Sequence, residues 1–259
     1  MLIDARPQDS EIAELSSNKE WKQWGKDDPL WSVANWANKQ RGTSSSWTPE
    51  ELYAVGESDW QDFSRQWMQY GFDRRSCLEI GCGAGRITKP LARTFDRVFA
   101  VDVSEEMLQL ARKAVGSNVQ FSLIDGLHLP QAEGSVSSVF STHVIQHVDT
   151  KEIGYAYFRE FYRVLEKGGT IMVHLPLYMF PRDSKVERLL DGIYAVFRWV
   201  NGKRATLKRA ANIKIMRWTS YPIDGLTRVL TELGFRDIEF RTMSVASNGA
   251  AYTFVLARK

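Results

Sequence analysis

Ten residues, Cys77-Leu78-Glu79-Ile80-Gly81-Cys82-Gly83-Ala84-Gly85-Arg86, limit what this chain can become more than any other stretch. Four mostly apolar residues of strand character run into three glycines at alternate positions. Arg86-Ile87-Thr88-Lys89 then opens a helix ahead of Pro90. Glycine removes the Cβ atoms that would keep a ligand off the backbone, and it accepts the positive φ of a tight turn. A turn of this kind aimed at a helix start offers unpaired N–H groups and the positive end of the helix dipole to an anionic group. The expected guest is a nucleotide-like cofactor with a negative end.

Glycine spacing narrows the guest. The dinucleotide fingerprint G-x-G-x-x-G needs glycine where Arg86 stands, whereas the pattern here is E-x-G-x-G-x-G. A second apolar run, Val98-Phe99-Ala100-Val101, ends in Asp102, about 20 residues past the first glycine, where a carboxylate can accept ribose hydroxyls. A third, Val119 to Ile124, ends in Asp125-Gly126. Strands that each end in a polar residue form one ligand-facing edge. The alternation continues with a helix from Ser104 to Val115, Ser104 being its N-cap, and another from Lys151 to Glu166 closed by Gly168-Gly169. Ile171 to Leu175 is a strand stopped by Pro176, and Tyr221 to Leu233 a last helix with Gly234 past its end. Phe235–Met243 and Tyr252–Ala257 are strands joined through Ser247-Asn248-Gly249. This rhythm predicts an α/β fold, a doubly wound, mostly parallel sheet with helices on both faces.

Together these residues resemble the class I S-adenosylmethionine-dependent methyltransferases, over roughly residues 76 to 259. Glu79 to Gly85 is similar to that family's first motif, Asp102 to Met107 to its second and Asp125-Gly126 to its third. Phe140 to Val148 resembles the segment after the fourth strand and Leu165 to Thr170 the turn before the fifth. Ser138 departs from the pattern, since many relatives carry Asp there. The resemblance implies a seven-stranded sheet completed by a C-terminal antiparallel hairpin, with S-adenosyl-L-methionine as cofactor and S-adenosyl-L-homocysteine as product. It implies that the glycine loop (Gly81, Cys82, Gly83, Gly85, Arg86) with Glu79 holds the methionine end and Asp102 the ribose. Met107 would pack on adenine, Asp125 would accept the adenine amino group, and Val103, Gly126, Thr142 and His143 would complete the cofactor's surroundings.

The 259 residues suffice for one large α/β domain with additions or for two small ones, and the 44% hydrophobic and 25% charged fractions are those of an ordinary soluble protein. No apolar run approaches a membrane span of ~18 residues. Asp4, Arg6, Asp9, Glu11 and Glu14 leave no apolar core for a signal peptide, so a cytoplasmic enzyme is the expectation. Cys77 and Cys82, the two cysteines, form a C-x4-C with no second pair, poor spacing for a metal, and read as structural filler.

Two regions stand apart. Seven of the nine tryptophans fall before residue 70, and Thr48-Pro49-Glu50-Glu51 is a capping box that starts a helix through Leu52, Val55, Trp60, Phe63, Trp67 and Tyr70. Residues 1–70 therefore read as an N-terminal helical cap and 71–259 as the cofactor domain. The tryptophans either pin the cap to the core or, Trp24 and Trp31 above all, wall a substrate cavity. From 182 to 217, within an insertion at about 176–218, ten Lys/Arg face three acids, a net of +7 against +3 for the whole chain. Val186 to Val200 give that stretch a helical apolar face ended by Asn201-Gly202. It reads as a solvated basic face, as a lid attracting an anionic substrate, or as a surface resting on acidic lipid head groups. Tyr178 and Trp218, at its edges, are further candidate substrate contacts.

Transfer of a methyl group from a sulfonium is an in-line displacement, in which the protein chiefly orients and excludes water. A base is needed only when the acceptor arrives protonated. His143 and His147 are the candidates. Their H-x-x-x-H spacing lacks the glutamate of the zinc motif, Val144 standing there, so no metal is expected. The expected function is methylation of an oxygen or nitrogen of a small molecule. RNA methylation and a non-catalytic cofactor-binding module are the alternatives. The net acidity outside the basic stretch weighs against nucleic acid, and the intact cofactor residues weigh against a module without activity.

Overall fold

The structure is a computed structural model that describes residues 15–34, 39, 43–179 and 218–259. The basic stretch 182–217 with its expected helix, Trp36, and the charge pattern before residue 15 lie outside the described residues. Among those described, no helix is long and apolar enough to cross a membrane.

Three helices come first: α1 (Ser16–Asp27), α2 (Pro29–Val33) and α3 (Pro49–Tyr70). Then follow β1 (Ser76–Ile80), α4 (Thr88–Thr94), β2 (Arg97–Asp102), α5 (Glu105–Ala114), β3 (Val119–Leu123), β4 (Val136–Ser141), α6 (Lys151–Val164) and β5 (Leu165–His174). Short β6 (Leu177–Tyr178) and β7 (Tyr221–Pro222), α7 (Ile223–Leu233), β8 (Arg236–Ser244) and β9 (Ala251–Arg258) complete the chain. The main sheet has seven strands in the order β3-β2-β1-β4-β5-β9-β8. β3 through β5 run parallel and β9 antiparallel to both its neighbours. β1 sits between β2 and β4, where the order of winding reverses, the place at which such sheets leave a crevice beyond their strand ends.

Alternation along the central strands sorts side chains to two faces. Leu78, Ile80, Val139, Ile171 and Val255 join Phe158 and Phe161 of α6 and Leu226 and Leu230 of α7. Cys77, Phe140, Met172 and Phe254 point the other way, onto Trp60, Phe63 and Trp67 of α3 and Leu91 of α4. Thus α3 is a layer of the sheet's own core, whereas α1 and α2 lie over the ligand-facing edge. Thr48 caps α3 in both directions of a capping box. The buried indoles find partners, Trp60 Nε1 on Thr94 Oγ1 at 2.9 Å and Trp67 Nε1 on Thr170 Oγ1 at 3.1 Å, as burial demands.

Three local expectations are corrected. α4 begins at Thr88, after a turn over 83–87, and Pro90 lies inside its first turn, where a missing N–H costs nothing. α6 ends at Val164, and Gly168-Gly169 belong to β5. There Gly168 N donates to the Lys259 carbonyl and Lys259 N to the Gly169 carbonyl, so pairing with the chain's last residue overrides the local glycine signal. Tyr221-Pro222 pairs with Leu177-Tyr178 and α7 starts after the proline, which brings the two ends of the insertion together at its base. Ser138, the departure from the family pattern, is accommodated by its hydroxyl donating to the Asp73 carbonyl at 3.0 Å.

Candidate active site

Beyond the end of β1 the chain turns sharply. Gly81 and Cys82 both donate N–H to the Val101 carbonyl, at 2.8 and 3.1 Å, which ties the loop to β2. Gly81 and Gly83 have φ of 68° and 52°. A Cβ at Gly81 would lie 2.3 Å from Val144 Cγ2, and one at Gly83 2.8 Å from Val33 Cγ1, so nothing larger fits beneath the elements that cover the loop. Gly85 differs: a Cβ there would press on Ala111 at 3.1 Å, so it seats the loop on α5 and does not line the cavity.

A cavity of about 420 Å³ opens against this loop. Glu79, Gly81, Cys82, Gly83, Arg86, Asp102, Val103, Met107, Gly126, Thr142, His143 and His147 all line it. The Glu79 side chain is buried and its Oε2 has no hydrogen-bond partner among the described residues. Burial raises its pKa to about 7, partly offset by the Thr88 hydroxyl and by Arg86. Asp102 Oδ2 accepts from Gly83 N and Oδ1 from Ser104 N, both at 2.9 Å, which fixes the carboxylate at the cavity wall. Burial pushes its pKa up, against those N–H groups.

Asp125 does not line the cavity. Its carboxylate turns back on its own loop, Oδ1 accepting from Leu127 N and His128 N at 2.9 and 2.8 Å while Oδ2 lies 2.6 Å from His128 Nδ1. Its carbonyl accepts from Asn18 Nδ2 at 2.5 Å, which brings α1 down over Gly126. The start of α1 is latched by Asp149, which accepts from Ser16 Oγ (2.7 Å), Ser17 Oγ (2.8 Å) and Ser17 N (3.1 Å).

His143 has φ of 58°, and its ring meets those of His174 at 4.5 Å and Tyr252 at 4.7 Å. Burial, and then His174, push its pKa well below the usual imidazole value, so it is neutral at physiological pH. Gln146 Nε2 lies 3.4 Å from His143 Nδ1 and 3.0 Å from His147 Nε2. The His147 ring sits between those of Trp21 (5.4 Å) and Trp218 (6.3 Å). Among the described residues no three His, Cys, Asp or Glu are grouped to hold a metal ion.

Of the aromatic candidates, Trp218 lines the cavity. Trp24 and Trp31 pack on each other, ring centroids 5.7 Å apart, away from it, and Tyr178 accepts from Lys151 Nζ at 2.9 Å. Trp21, one of the tryptophans read as pinning the cap or walling a cavity, lines it, as do Asp59, Tyr157, Asn248 and Tyr252, which sequence reasoning passed over. For Asp59 a signal existed: an acid amid Gly56, Trp60, Phe63 and Trp67 on the apolar face of a helix. The others enter the wall only through the crossing of distant segments. Asp59, Glu79 and Asp102 share the cavity wall with Arg86.

A family model described as a methyltransferase domain matches residues 78–173. Ajmaline N-methyltransferase of Rauvolfia serpentina is 30% identical over 121 residues, 44% of this chain and 40% of that protein. This chain spans well under two thirds of the length of the curated relatives it matches. Among solved structures, magnesium protoporphyrin IX methyltransferase from Synechocystis, with S-adenosylhomocysteine bound, superposes with a TM-score of 0.58 at 16% identity, over 94% of this chain and 99% of that one. The [4+2]-cyclase SpnF gives a TM-score of 0.56 at 16% identity, over 94% and 96%. Likeness at such identities establishes the fold.

Proposed function

We propose that this chain, whose residues 78–173 match a methyltransferase domain, is a class I S-adenosylmethionine-dependent methyltransferase that transfers the cofactor's methyl group to an oxygen or nitrogen of a small molecule. The observation that carries the cofactor's placement is the Oε2 of buried Glu79, which has no hydrogen-bond partner among the described residues, in a cavity that the glycine loop and Asp102 also line. An ammonium meets the need of Glu79, a ribose diol that of Asp102, and Met107 offers an apolar surface to a base. The bound cofactor supplies a methyl group on a positively charged sulfur. This part of the third motif enters the reading through Gly126, which lines the cavity, since the Asp125 carboxylate is engaged by His128.

The acceptor belongs at the end walled by Trp21, His147, Tyr157 and Trp218, with His143 and Tyr252 nearby. These aromatic faces suit a flat or cationic small molecule. Neutral His143 is the candidate proton acceptor, a weak base given its lowered pKa, while His147, whose ring contacts two indoles, shapes the wall. The net acidity outside the basic stretch supports a small acceptor over RNA.

Because one structural neighbour is a cyclase, turnover and not binding alone is the test. Labelled S-adenosylmethionine is incubated with panels of amines, phenols and carboxylic acids. Transfer to at least one class, lost in Asp102→Ala, supports the proposal. Cofactor binding with no transfer across the panels would return the chain to a non-catalytic or different chemistry.

A further inference from the structure

Asp59 comes from α3, outside the matched domain, yet it forms part of the cavity wall. It is 2% exposed, on a helix face otherwise given to Gly56, Trp60, Phe63 and Trp67. A carboxylate in such surroundings is costly unless paired. Its Oδ2 takes a hydrogen bond from Arg86 Nη1, and its Oδ1 one from the Ser247 hydroxyl in the β8–β9 turn. Gly56 lets the helix come this close: a Cβ there would lie 2.0 Å from the Arg86 carbonyl oxygen. Side chain and main chain of Arg86 are thus both held by α3.

Both partners of this ion pair line the ligand cavity. Arg86 is 7% exposed, and beyond Nη1 its guanidinium makes no other hydrogen bond among the described residues. Glu79, also at the wall, has an oxygen without a partner among the described residues. A buried acid with an unused acceptor near a buried guanidinium with unused donors reads both ends of a zwitterion.

We propose that Asp59 is a positioning residue that aims Arg86 at the carboxylate of the cofactor's amino-acid end, while Glu79 takes its ammonium. The inference rests on the function proposed above. It makes discrimination of the cofactor's carboxylate a property shared between α3 and the glycine loop.

The test measures dissociation constants of three ligands by calorimetry on the full chain: S-adenosylhomocysteine, its decarboxylated form, and 5′-methylthioadenosine, which lacks the whole amino-acid end. Wild type is expected to prefer S-adenosylhomocysteine over the decarboxylated form by about tenfold or more, the usual weight of a charge-assisted hydrogen bond. In Asp59→Asn that preference falls to about threefold or less, while 5′-methylthioadenosine binds within about twofold of wild type. A preference that survives in Asp59→Asn, or equal weakening of all three ligands, overturns the proposal. Should Asp59→Asn fail to fold, Ser247→Ala is measured in its stead, since it keeps both charges and frees one tether of Asp59. It must shrink the preference in the same direction, and an unchanged preference overturns the proposal. Failure of wild type to bind S-adenosylhomocysteine at all would instead overturn the function proposed above, and this inference with it.

Discussion

Glu79 is where residue-level electrostatics becomes measurable. In the free protein its carboxyl titrates near 7 because it is buried without enough compensation. Between the ordinary carboxylate range and about 7 the folded chain therefore holds a proton that the unfolded chain releases, and this group's contribution to stability is lost as pH rises through that window. A bound ammonium favours the ionised form. Binding of S-adenosylhomocysteine should accordingly release a proton below pH 7 and tighten by up to about tenfold per pH unit from about pH 6 to 7. Calorimetry in buffers of different ionisation enthalpy checks this, and Glu79→Gln should abolish the dependence. Asp102→Asn keeps the shape of the side chain and removes the charge, so cofactor affinity should drop by about 1.5–3 kcal/mol, and the melting temperature should fall as well because the amide nitrogen then faces the N–H of Gly83 or Ser104. Unchanged affinity would remove Asp102 from the ribose role. Both residues were legible in the sequence, because a strand running into glycines and a strand ending in an acid are local signals. Asp125 was legible only as a position, since nothing in its neighbours told that His128 would turn to engage its carboxylate.

At the level of elements, α1 covers the cavity through Ser17, Asn18 and Trp21, with Leu15 just before it, and its start is held by the three hydrogen bonds to Asp149. Asp149→Ala should speed dissociation of S-adenosylhomocysteine in stopped flow while leaving the unfolding midpoint nearly unchanged. An unaltered off-rate would mean that α1 does not gate the site. Thr48→Ala serves as a contrast: loss of the α3 cap should cost about 1 kcal/mol of stability with no change in cofactor affinity, read by thermal unfolding and titration together. That cap, and the Ser104 cap of α5, could be read from the sequence because they depend on four consecutive residues. The end of α6 could not. Gly168-Gly169 carry the marks of a helix stop, and only the return of Arg258 and Lys259 beside them makes the stretch a strand.

For the molecule as a whole, the described part of the region before residue 71 divides into two helices over the site and one inside the core. Trp67 is fully buried among Phe72, Phe95 and Phe140, so Trp67→Ala should cost about 3–5 kcal/mol and lower a single unfolding transition. Two resolved transitions in calorimetry would mean instead that the region before 71 folds by itself. The parallel sheet was visible as an alternation of strand and helix runs, whereas the place of α3 against Phe140, Met172 and Phe254 depends on contacts over 70 or more residues of chain, beyond any local pattern. The account as a whole depends on the crevice beyond β1 accepting an adenosyl amino acid. Thermal unfolding with S-adenosylhomocysteine and, in parallel, NADH addresses it most directly. At about 100 times its dissociation constant, S-adenosylhomocysteine should stabilise the chain by about 2.7 kcal/mol and NADH should leave the midpoint in place. Stabilisation by NADH alone, or by neither ligand, would contradict it.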